Sequence, residues 1–86
     1  MKLKDGFILR EVAGDIVVVP SGKTLDLNMM ITLNETACFL WKLMEKEISK
    51  EELVSALLYE YEISEDEAKK QVENFEAKLN EYGFLE

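Results

Sequence analysis

Histidine is absent from all 86 residues, so Ser/His and Cys/His nucleophile pairs and any imidazole-ligated metal are excluded. What remains for chemistry is one thiol, Cys38, and two groups of carboxylates, Glu51/Glu52 and Glu65/Asp66/Glu67. Cys38 has no base near it in sequence and falls in the first turns of an apolar helix, the setting of a structural thiol rather than a nucleophile. Both carboxylate groups sit at helix starts, where acids complement the helix dipole and cap free N–H groups. No glycine-rich phosphate loop accompanies them. These residue types lead to an expectation of no enzyme activity, no metal and no cofactor, and direct attention to binding.

The elements that would position a binding surface can be read from periodicity. The chain is expected to form one domain over residues 1–86, since its length suffices for a single modest core. Hydrophobic residues make up 48%, with one proline and four glycines, which suits a folded chain and not a disordered one. Phe7 to Ala13 alternates loosely, Gly14-Asp15 is the expected two-residue turn, and Ile16 to Val19 is a β-branched run ended by Pro20. After the turn-rich 20–24 segment, Leu25, Leu27, Met29 and Ile31 point one way while Asp26, Asn28, Met30 and Thr32 point the other. The sheet is thus expected over about 7–31.

Downstream the period changes to that of a helix. Three helices are expected, over about 33–46, 50–61 and 65–82, each opened by a hydroxyl residue followed three positions later by Glu: Thr32/Glu35, Ser49/Glu52 and Ser64/Glu67. Leu33, Ala37, Leu40, Trp41 and Met44 share one face of the first helix, and Cys38, Phe39 and Leu43 widen it. Leu53, Ala56, Leu57 and Tyr61 line the second. Ala68, Val72, Phe75, Leu79 and Tyr82 line the third, which Gly83 should stop in a left-handed cap so that Phe84 and Leu85 fold back.

The fold class that follows is α+β and winged-helix-like, a three-stranded antiparallel sheet followed by three α-helices. Such modules usually bind DNA through a basic helix. Here the formal net charge is −8, and from Ser49 onward four lysines stand against eleven acids. No basic face exists to neutralise phosphates, so no nucleic-acid partner is expected. No apolar run approaches the roughly 20 residues of a membrane-spanning helix. The lone cysteine and the absence of a secretory leader in Met1-Lys2-Leu3-Lys4-Asp5 lead to a cytoplasmic expectation.

Gly6-Phe7-Ile8-Leu9-Arg10, Val17-Val18-Val19, Leu33-Asn34-Glu35-Thr36-Ala37 with Leu40-Trp41, Glu51-Glu52-Leu53-Val54 and Tyr82-Gly83-Phe84-Leu85 together resemble the PqqD family over nearly the whole chain. The Leu-Asn-Glu-Thr-Ala block is the most specific piece, and Gln71, where an acidic residue would be expected, is one departure. The resemblance implies a non-catalytic RiPP recognition element, a peptide chaperone that presents the leader of a ribosomally made precursor to a modifying enzyme, often a radical SAM protein. It further implies that the leader adds as a strand beside the third strand, in a groove bordered by the third helix. On this sequence the implied peptide-binding residues are Leu25, Asp26, Leu27, Asn28, Met29, Met30 and Ile31 on the strand, with Lys69, Val72, Phe75 and Glu76 on the helix.

The residues themselves support that mechanism less specifically: an edge strand offers unpaired backbone groups to an extended peptide, and methionines such as Met29 and Met30 adapt to varied apolar partners. The alternative from another class is a small winged-helix regulatory protein acting on nucleic acid through a partner or dimer. A structural subunit that dimerises through the wide apolar arc of its first helix is a third. The expected oligomeric state is a monomer or weak dimer.

Overall fold

The structure is a computed structural model that describes residues 1–20 and 31–86. Strands β1 (Phe7–Val12), β2 (Asp15–Pro20) and β3 (Ile31–Leu33) precede helices α1 (Glu35–Leu43), α2 (Lys50–Glu60) and α3 (Glu65–Tyr82). The sheet is antiparallel in the order β1-β2-β3, which leaves β1 and β3 as its edges among the described residues. Residues 25–30 of the expected third strand lie outside the described residues, and β3 continues past Ile31 to Leu33.

The β1–β2 hairpin turns one residue earlier than its sequence suggests. Val12 pairs with Asp15, so the turn is Ala13-Gly14 and not Gly14-Asp15. Both turn residues have positive φ, 52° at Ala13 and 87° at Gly14, the geometry that matches the right-handed twist of paired strands. Asp15 is thereby released to pair, and an alanine carries a conformation that costs a non-glycine residue about 1–2 kcal/mol.

The β3–α1 junction differs from the expectation by two residues. Thr32 pairs with Val17 and Leu33 with Ile16, so both belong to the strand. Asn34 is the cap: its backbone is extended (φ −77°, ψ 178°) and its side-chain oxygen accepts from the Ala37 N–H at 2.8 Å. Thr32 and Glu35 therefore form no capping box, because Leu33, 4% exposed, is held in the sheet by the core. At its other end α1 stops at Leu43, short of Lys46, with Met44 capping. The Ser49/Glu52 box is complete: the Glu52 N–H donates to Ser49 Oγ at 3.1 Å and the Ser49 N–H to Glu52 Oε1 at 3.2 Å. Ser64 accepts from the Glu67 N–H at 3.1 Å, but the Glu67 carboxylate accepts from Gln71 Nε2 at 3.2 Å instead of from the cap. Gly83 ends α3 at φ 74°, as its position predicts.

One cluster joins sheet and helices: Val18, Ile31 and Leu33 from the strands, Leu40, Trp41 and Met44 around α1, Leu53, Val54 and Leu57 from α2, and Ala68, Val72, Phe75 and Leu79 from α3. Phe84 completes it with no exposed surface. Its ring lies 4.4 Å from that of Phe7, 6.0 Å from Trp41 and 5.8 Å from Tyr82, binding β1, α1 and the end of α3 together. The first residues of the chain are held there too. Leu3 bridges Leu85, the Lys4 N–H donates to the Phe84 carbonyl at 2.8 Å, and the Leu3 N–H donates to the Met44 carbonyl at 2.9 Å. Among the described residues no helix is long and apolar enough to cross a membrane.

Candidate functional site: the groove between β3 and α3

Because β3 is an edge among the described residues, every second residue turns its N–H and C=O away from β2. That edge looks into a groove of about 390 Å³. Its β3 side is Thr32, Leu33 and Asn34, its base is Thr36, Ala37 and Leu40 of α1, and its far wall is Glu67, Gln71, Asn74, Phe75 and Lys78 of α3. The spacing of the α3 residues, by three and four, puts them on one stripe. The floor is apolar, through Leu33, Ala37, Leu40 and Phe75, and the rim carries amides and hydroxyls with the charges of Glu67 and Lys78. A concave apolar floor beneath a polar rim suits an extended chain lying between edge and helix, with an apolar side chain turned down and its polar groups toward the rim.

The residues named from sequence fall unevenly. Phe75 lines the groove while only 7% exposed, so it serves core and floor together. Ile31 (5%) and Val72 (1%) lie behind the floor in the core. Lys69 lies elsewhere: it pairs with Glu65 at 3.3 Å and borders a cavity between α2 and α3, because its place on the helix turns it toward α2. Glu76 is half-buried and does not border the groove. Leu25, Asp26, Leu27, Asn28, Met29 and Met30 lie outside the described residues.

Sequence reasoning missed Glu67, Gln71, Asn74 and Lys78 on the far wall, and Thr32, Leu33 and Asn34 on the β3 side with Thr36, Ala37 and Leu40 on the base. Helical spacing from Phe75 groups 67, 71, 74, 75 and 78 into a single row beside the buried stripe, but which flank of that stripe faces β3 is set by packing and not by spacing. The second group depended on where the strand ends, which the Thr32/Glu35 spacing misplaced.

A second concavity, of about 530 Å³, opens between the hairpin tip and α1 and is bordered by Asp15, Ile16, Glu35, Cys38, Phe39 and Tyr61 among others. Phe39 and Tyr61 meet edge to face at 5.7 Å. Partial burial raises the Tyr61 phenol above its ordinary value of 10.0, and the negative charges of Glu35 and Glu60 push the same way. Cys38 is half-buried here and free, less enclosed than a core thiol.

Two solved structures share the whole architecture. One is described as "TbiB1 in Complex with the TbiA(beta) Leader Peptide", at TM-score 0.77 and 21% identity over 100% of this chain and 95% of that one. The other, "Lasso peptide synthetase B1 complexed with the leader peptide", matches at TM-score 0.72 and 19% identity over 96% of this chain and 93% of that one. At such identity the likeness is one of fold. No curated protein matches the sequence. The family model for coenzyme PQQ synthesis protein D (PqqD) matches residues 7–85, from the first residue of β1 to the residue that bridges Leu3 after α3, and the chain accordingly belongs to the PqqD family.

Proposed function

We propose that this protein is a non-catalytic recognition element that binds the leader of a ribosomally made precursor peptide and presents it to a modifying enzyme. The observation that carries the proposal is the edge of β3, unpaired among the described residues, facing α3 across an apolar-floored groove. The leader adds as a fourth strand along β3, from Ile31 to Leu33, and sets one or two apolar side chains between Leu33, Leu40 and Phe75. Each backbone hydrogen bond contributes about 0.5–1.5 kcal/mol net and each buried apolar side chain about 1.5–3 kcal/mol, enough for micromolar binding after ordering costs. The two similar folds are both described with leader peptides, and family membership points the same way.

Catalysis belongs to the partner, a radical SAM enzyme, and both work in the cytoplasm. Tethering is the physical contribution: holding the leader raises the effective concentration of the attached core peptide at the partner's site. The test is an amide-resolved NMR titration with the leader of a precursor encoded beside this chain. Shifts at Thr32, Leu33, Gln71 and Asn74 are expected, with little loss of affinity as salt rises. Unmoved groove amides would sink the proposal, and steep salt weakening with a duplex ligand would favour the nucleic-acid alternative.

A further inference from the structure

The far wall of the groove differs from the helix that supplies it. Helix α3 carries six acids, Glu65, Asp66, Glu67, Glu73, Glu76 and Glu81, yet only Glu67 among them borders the groove. Lys78 is the groove's one cation among the described residues, and neutral Gln71 and Asn74 separate the two charges. Lys78 forms no ion pair with any described residue, whereas Lys2, Lys50 and Lys69 each do. Glu67 is engaged only as an acceptor for Gln71 and the rest of its carboxylate is open to a ligand.

We propose that the groove selects its peptide by charge polarity: a basic residue toward Glu67, an acidic residue toward Lys78, and an apolar residue between them over Phe75. The inference rests on the strand-addition reading above and names the class of leader that fits. Its spacing follows from helix geometry. Eleven positions separate Glu67 from Lys78, about 16 Å along the axis, which an extended chain covers in about five residues. A matched peptide gains two charge-assisted contacts and a reversed one meets two like charges, while an uncharged rim would discriminate neither. The chain's overall negative charge conceals this, because the other acids of α3 lie off the groove.

Two nonapeptides with the same apolar centre test it, one with lysine second and aspartate seventh, the other with the two exchanged. A third peptide carries glutamine at both places. One charged probe is expected to bind roughly tenfold tighter than the other, with the glutamine peptide between them and the gap shrinking in 1 M salt. In the double variant Glu67→Lys/Lys78→Glu, whose net charge is unchanged, the preference should invert. Lys78→Gln, which leaves the start of α3 untouched, should reduce the gap by about half. If all three peptides shift Thr32, Leu33 and Asn74 amides with equal affinity, strand addition stands and charge polarity is overturned. If no peptide shifts them, the strand-addition reading falls and this inference with it.

Discussion

Filling the groove without disturbing the core separates peptide binding from stability, and Ala37→Leu is the substitution that does so. Ala37 is half-buried on the groove base, and its backbone N–H is held by Asn34 Oδ1 at 2.8 Å, a bond that a new side chain leaves in place. Leucine forms helix nearly as well as alanine, so α1 itself loses only a few tenths of a kcal/mol. Three added carbons enter a groove of about 390 Å³, in the space between Leu33, Leu40 and Phe75 assigned to the peptide's apolar side chain. Excluding that side chain forfeits about 1.5–3 kcal/mol, or roughly ten- to hundredfold in affinity at about 1.4 kcal/mol per decade. Stability should change by less than about 1 kcal/mol, because the leucine covers apolar surface already present. Calorimetric titration with a leader peptide, beside a thermal melt, measures both. Wild-type affinity in a folded variant would refute occupation of the groove. A melt lowered by tens of degrees would refute the premise that the Ala37 side chain opens to it, since overpacking the core costs about 1–3 kcal/mol.

Other consequences concern the frame. Phe84→Ala should cost about 3–5 kcal/mol in urea unfolding followed by Trp41 fluorescence, because a fully buried ring touching Phe7, Trp41 and Tyr82 is removed; a loss under 1 kcal/mol would show that the closing segment is not part of the cooperative core. Ala13→Gly should stabilise by about 0.5–1 kcal/mol, since glycine adopts φ 52° without strain, and an unchanged denaturation midpoint would contradict the turn geometry. Ser49→Ala removes the acceptor for Glu52 N–H and should cost about 1 kcal/mol. For Tyr61 the folded state favours the neutral phenol, so its contribution is complete below pH 10 and is lost as pH rises through the higher folded value. Absorbance titration should show a late-ionising component that Tyr61→Phe abolishes, along with part of the alkaline loss of stability.

Much of the frame is legible in local order. The helical period that runs through Leu40, the serines at 49 and 64, and Gly83 each act through a few neighbouring residues, and each helix they mark is present. Local order failed where two local solutions competed. Thr32 and Asn34 are both good helix caps, and the choice between them was made by Leu33, whose burial against the sheet extended β3 by two residues. The same limit applied at the hairpin, where pairing of Val12 with Asp15 moved the turn onto an alanine.

The groove shows the division most clearly. Sequence alone determined that the chain has no histidine for catalysis, that its helical half is acidic, and that a strand leads into a capped apolar helix. Only the tertiary structure decided which face of α3 looks at β3. A helix presents charges on all sides, and the packing of Ala68, Val72, Phe75 and Leu79 into the core fixes its rotation. That rotation turns Lys69 toward α2 and sets Glu67, Gln71, Asn74 and Lys78 along the groove, so an acidic helix offers the open strand edge a nearly neutral wall with a charge of opposite sign at each end.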